Sequence, residues 1–326
     1  MRKHGPSPGG SSFFCLLAVF FVLSCATEGP LRPAAPAALS PEEAVVEWRF
    51  FAPGVEYGKG RIMQPRLEYH VLKIDLDQDG LSIVLNGPPP EAPFGTVPAV
   101  KVSSFVRNYG LIAGINTVPF SPVSAKEGET RTIAGLVIAE GKLLSLPRPE
   151  YDALVFYKSG RAAIVNQGNL GEIENIYAAA GGFRVILENG ALPGRLRRDE
   201  PDGGAQGTAQ GAQGIAQGAR HPRSAAGLSA DGRVLYLLVI DGRRPGSAGA
   251  TEAETGLILQ ALGAKEGLNF DGGGSSALAL NFSDRRVRVV NVPIHSGLPG
   301  RERAVATCLG IGFNRQDTPA TPRPES

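Results

Sequence analysis

Cysteine is scarce in this chain, with Cys15, Cys25 and Cys308 the only three among 326 residues. Cys15 and Cys25 lie in or at the end of an apolar leader, so one thiol remains for the body of the protein. A disulfide framework and a cysteine metal site are both excluded. Cys308 stands in the apolar run 304–311 and reads as a small buried hydrophobe. Histidine is nearly as rare, and His4, His70, His221 and His295 show no paired ligand spacing. Neither a metal nor any other cofactor is expected. Long hydrophobic runs are missing too. The longest, residues 13–23, is 11 residues, too short for a membrane-spanning helix but the length of a signal-peptide apolar region. An excess of one charge is absent once that leader is removed. Residues 1–24 carry Arg2 and Lys3 and no acid, which leaves as many bases as the 31 acids. No nucleic-acid partner is implied.

What is plentiful is glycine, at 43, and proline, at 26, which favours turns and strands over long helices. At the leader's end, Val22-Leu23-Ser24-Cys25 resembles the cleavage box of bacterial lipoproteins, with Leu23 one place nearer the cysteine than usual. In that reading residues 1–25 are signal and lipobox, and Cys25 carries the lipid that anchors the chain to a membrane of the bacterial cell envelope. The competing reading is secretion with cleavage near Ala26. Residues 26–44 are rich in Pro and Ala and form a linker. One domain is expected over 45–315, followed by a flexible tail at 316–326. It is interrupted at about 200–220, where Ala-Gln-Gly occurs four times between 205 and 218. That tract has no large apolar side chain except Ile215, which predicts a disordered surface insertion.

Within the domain, residues 67–76 alternate like a strand, 101–109 suit a short helix, and 111–115 form a strand delivering Asn116. Residues 233–240 are nearly all apolar and predict a strand buried on both faces, ending at Asp241. Thr251-Glu-Ala-Glu254 fits a capping box opening a helix that Gly263 ends. A strand over 267–270 follows. The pattern predicts an α+β fold, a mixed β-sheet core with few flanking helices and a C-terminal β-α-β unit. Parallel strands would bring Asp241 and Asp271 to one sheet edge.

Residues 269–276 read Asn-Phe-Asp-Gly-Gly-Gly-Ser-Ser. Three glycines open backbone conformations closed to other residues and allow a ligand close to the main chain. Successive amides in such a turn can cradle an anion. The plainer reading is a glycine hairpin in which Asp271 makes only a local turn bond.

The ordered set is His221-Pro-Arg223-Ser-Ala-Ala-Gly227, Asp241-Gly-Arg243, Ser247-Ala-Gly-Ala-Thr251-Glu-Ala-Glu254, Leu262-Gly-Ala264, the 269–276 stretch and Arg301-Glu-Arg303-Ala-Val305. It resembles the phosphodiester glycosidase family, with thinner likeness at 113–116 and 178–183. The resemblance implies hydrolysis of a sugar-1-phosphodiester at the glycosidic carbon. It implies Asp271, Asp241 and Glu254 as catalytic carboxyls. It also implies Asn116, Arg223, Thr251, Gly272, Gly273, Gly274, Ser275, Ser276 and Arg303 as substrate-binding residues, with a carbohydrate phosphodiester as partner. Each has a structural alternative: turn formation for Asp241, the capping box for Glu254, surface ion pairs for the arginines. The family often has Asn-Gly-Gly-Phe-Phe where this chain has Asn116-Thr117-Val118-Pro119-Phe120, and the bulkier residues are expected to narrow the pocket. The rivals to an enzyme are a non-catalytic glycan- or phosphoglycan-binding lipoprotein and a structural envelope protein.

Overall fold

The computed structural model describes residues 46–197 and 218–313. The leader with Cys25, the linker, most of the Ala-Gln-Gly tract and the tail lie outside the described residues. The protein is mostly β, with two α-helices, Val102–Tyr109 and Glu252–Ala261, among the described residues.

A seven-stranded sheet runs in the order Val46–Ala52, Val55–Met63, Arg66–Asp75, Val234–Ile240, Arg223–Leu228, Glu266–Asn269 and Val185–Leu187. A five-stranded sheet is built from Val287–Val289, Leu278–Asn281, Ala113–Asn116, Cys308–Phe313 and Leu81–Leu85. Another five-stranded sheet has Asp152–Tyr157 and Ile176–Gly181 near its middle. The principal core joins all three, with Leu72, Leu237 and Leu268 meeting Ile115, Leu280 and Leu154. Burying each such side chain contributes about 1.5–3 kcal/mol relative to exposure. The helix Glu252–Ala261 covers the other face of the seven-stranded sheet through Ile258 and Leu259. The helix Val102–Tyr109 packs Phe105 and Val106 against Ala279 and Cys308.

Two expectations need correction. Every paired strand named here is antiparallel, so the core is not a mixed sheet. The C-terminal strand–helix–strand does not form an adjacent parallel pair. Val234–Ile240 and Glu266–Asn269 run in the same direction, but Arg223–Leu228 stands between them, antiparallel to both. The strand that fills the gap directly precedes Val234–Ile240 in the chain and pairs with it as a hairpin, Leu228 standing opposite Leu235. The consequence for the site survives, because both strands still end at one edge of the sheet.

Candidate active site

The Asp271–Ser276 segment is where the chain leaves one sheet for another. Glu266–Asn269 belongs to the seven-stranded sheet and Leu278–Asn281 to a five-stranded one. Asn116 pins this crossing. Its Nδ2 donates to Asp271 O at 2.6 Å, and its Oδ1 accepts from Ser224 Oγ at 2.7 Å and Ala277 N at 3.2 Å. Buried to 1% exposure, it ties the loop to both sheets. The amide of Asp271 donates to Thr117 O and that of Gly273 to Pro222 O, each at 2.8 Å. Those of Ser275 and Ser276 close the turn onto Gly272 O and Gly273 O. These amides are spent inside the fold, so the expected nest of anion-binding amides is largely consumed.

Positive charge at the loop comes from guanidinium groups instead. A Cβ on Gly274 would stand 2.4 Å from Arg303 Nη2 and would push that side chain aside. Gly273 has φ +61°, and a Cβ on it would stand 3.2 Å from Arg243 Nη2. Arg303 Nη1 donates to Ser275 Oγ at 3.1 Å and its Nε to His295 Nδ1 at 3.1 Å. Arg243 Nη2 donates to His221 Nδ1 at 3.0 Å. Arginine can only donate, so both histidines accept at Nδ1 and hold a proton at Nε2 when neutral. Burial and the neighbouring arginines lower the pKa of each histidine. Among the described residues neither Arg243 nor Arg303 has a carboxylate within ion-pair distance.

Asp271 is the carboxyl of this loop. Desolvation pushes it up to about 6, against the pull of the Ser275 hydroxyl, the Arg303 charge and the Gly272 amide. A carboxyl poised near neutrality can exchange protons or carry charge under physiological conditions.

The other two expected carboxyls are committed elsewhere. Asp241, 1% exposed, pairs with Arg244 at 2.7 Å and accepts from Val292 N at 2.8 Å and Asn291 Nδ2 at 3.3 Å. Asn291 also donates to Ser276 O at 3.1 Å, so Asp241 braces the loop from behind. Glu254 Oε2 accepts from Thr251 N at 2.9 Å while Thr251 Oγ1 accepts from Glu254 N at 3.1 Å, and Glu254 also pairs with Arg220. This is the capping box the sequence announces, and it occupies Thr251 as well. Arg223 is 3% exposed and spends its N–H groups on Ala250 O at 2.9 Å and Ala219 O at 3.2 Å. Only its stem reaches Gly272. Ser276 is buried, its hydroxyl without a partner. Thr117 and Val118 turn inward, Thr117 Oγ1 meeting Thr307 Oγ1 at 3.0 Å and Val118 joining the core. Their bulk is absorbed by the core.

Sequence reasoning gave Arg243 no role in the site, and it weighed His221 and His295 as lesser candidates against satisfied loop residues. Arg243 carried one signal, its place in Asp-Gly-Arg at a strand end. His295 lies on the hairpin Ile294–Pro299, and only that fold brings it to Arg303.

A family profile described as phosphodiester glycosidase matches residues 109–312, well over half of the chain. The chain belongs to the phosphodiester glycosidase family. The matched range includes the Asp271 loop, Arg243 and Arg303. No curated protein sequence matches significantly. Among solved structures, a hypothetical protein from Synechocystis aligns over 83% of this chain at 16% identity and TM-score 0.61, and the chain spans 64% of its length. The zebrafish N-acetylglucosamine-1-phosphodiester alpha-N-acetylglucosaminidase catalytic domain, auto-inhibited by its pro-peptide, aligns over 83% of this chain and 89% of its own. Its identity is 17% and TM-score 0.58, a likeness of fold.

Proposed function

We propose that this phosphodiester glycosidase hydrolyses a sugar-1-phosphodiester of cell-envelope or environmental glycans, giving free sugar and a phosphomonoester. The bond from the anomeric carbon to the phosphate oxygen breaks, its electron pair going to the phosphate. Water adds hydroxyl to the anomeric carbon and gives its other proton to Asp271. Phosphate leaves readily, so a general acid is dispensable and the ionised form of Asp271 is the working one. It activates water and offsets positive charge on the ring, while Arg303 holds the phosphate. Asp241 and Glu254 serve as supports rather than as a second catalytic carboxyl, which departs from the two-carboxyl arrangement of most glycosidases.

The observation that carries this reading is a carboxyl with a raised pKa sharing one glycine loop with an arginine that lacks a carboxylate partner. The test is a panel of sugar-1-phosphodiesters offered to purified protein, with free sugar and phosphomonoester both quantified. Equimolar release from one member supports the assignment. Saturable binding without release from any member makes the protein a phosphoglycan-binding module. For location, lipidation of Cys25 and a membrane-anchored place in the bacterial envelope follow from the leader's pattern.

A further inference from the structure

Two guanidinium groups stand at successive glycines of one loop, Arg303 partly buried and Arg243 exposed. Arg243 lies over Gly273 and Arg303 over Gly274. Burial and, to a smaller degree, the Arg243 charge lower the pKa of Arg303, against the pull of the Asp271 carboxylate. Ordinary arginine pairs in a fold are relieved by acids, as Arg244 is by Glu68 and Asp241. Here histidine nitrogens take the place of acids. A neutral acceptor fixes a guanidinium without neutralising it, so its charge stays available for a ligand. Both histidines bond to one edge of their arginine, leaving other N–H groups free.

We propose that Arg243 is the second jaw of a two-arginine clamp for the substrate phosphate, and that His221 and His295 are positioning residues that aim the two jaws. The clamp rests on the glycosidase reading of the site. A phosphodiester carries one negative charge and the departing phosphomonoester two. As the bond from the anomeric carbon to oxygen breaks, its electron pair adds the second charge to the phosphate. One guanidinium matches the diester; two match the leaving phosphate. Interactions that strengthen as the reaction proceeds accelerate the chemical step, while those constant throughout only improve substrate binding. Arg243 therefore acts chiefly on turnover, and the product and inorganic phosphate bind tightly to the free site.

The test uses the intact protein and two independent readouts. Inorganic phosphate is titrated calorimetrically at about pH 8, where it is mostly a dianion. Arg243→Met should weaken that binding by about tenfold or more, the scale of one lost charge-assisted hydrogen bond. Arg243→Lys, which keeps charge without the fork, should fall between the two. His295→Ala should weaken phosphate comparably, and His295→Asn, whose Oδ1 can accept from Arg303 Nε, should recover most of it. With a hydrolysed diester, Arg243→Met should lower kcat by about tenfold while KM shifts less than about threefold. Phosphate binding that depends on Arg243 in a protein that hydrolyses no diester would uphold the clamp and sink only the catalytic reading. Hydrolysis that proceeds with unchanged kcat and unchanged phosphate affinity in Arg243→Met would overturn the clamp and leave the catalytic reading standing. Matching thermal unfolding of wild type and variants separates either result from misfolding.

Discussion

Asp271 is held where its charge is unwelcome. Desolvation favours the protonated form, and the fold tolerates the group because Ser275, Gly272 and Arg303 oppose that shift. The sign for stability follows from a folded pKa above the unfolded one. The contribution is fully present below the ordinary carboxyl range and is lost as pH rises through about 6. Asp271→Asn should therefore melt at the same temperature as wild type, or higher, at about pH 8. Turnover of an active diester should fall about a hundredfold or more, the scale for losing a positioned acid–base group. In wild type the rate should rise as pH climbs through about 6, since the ionised carboxyl works. A rate that falls across that range would assign Asp271 the opposite role. Gly274→Ala makes a complementary case. Its Cβ displaces Arg303, a long flexible side chain, so the fold should hold while phosphate affinity drops.

The helix Glu252–Ala261 shows how one element serves the site without joining it. Its first turn is closed by the capping box, and its two acids take arginines, Arg195 on Glu252 at 2.9 Å and Arg220 on Glu254. Glu254→Gln keeps an acceptor for the Thr251 amide but loses the ion pair with Arg220, and should cost about 1 kcal/mol and lower the melting temperature by about 2–4 °C. Turnover should fall by less than about tenfold; a hundredfold loss with unchanged melting would return Glu254 to the chemistry. This helix was legible in the sequence because its signals are local: Thr251 and Glu254 at cap spacing, apolar positions on one face and Gly263 beyond. The helix Val102–Tyr109 was legible only as a helix. Its cap is Glu302, whose carboxylate accepts from Ser103 N at 2.9 Å and Ser103 Oγ at 2.6 Å, 199 residues along the chain. No local pattern announces such a partner. The same reason hid the pairs His221–Arg243 and His295–Arg303, which exist because a loop and a hairpin fold back. Asp271 and its glycines were legible as a site because the turn's steric needs are written in consecutive residues. The strand Arg223–Leu228 between Val234–Ile240 and Glu266–Asn269 was not, since its small residues Ser224, Ala225, Ala226 and Gly227 carry little strand signal.

At the scale of the molecule, three sheets share one core and the site lies where the chain crosses between two of them. The Ala-Gln-Gly tract departs from and returns to a region fixed by Arg195–Glu252 and Arg220–Glu254, both on the first turn of the same helix. Deleting residues 203–218 should shift the melting temperature by no more than about 2–3 °C, because loop closure varies slowly with length. A larger fall would show that the tract packs on the domain. For the envelope anchor, Cys25→Ala should move the protein from the membrane fraction to the soluble one. Unaltered partitioning would remove the lipid from the account. The central claim is which bond breaks, and hydrolysis of an active sugar-1-phosphodiester in heavy-oxygen water reads it directly by mass spectrometry. The account predicts the label on the anomeric hydroxyl of the released sugar and none on the phosphomonoester. Label on the phosphate would mean attack at phosphorus, a phosphodiesterase reaction, and would contradict it.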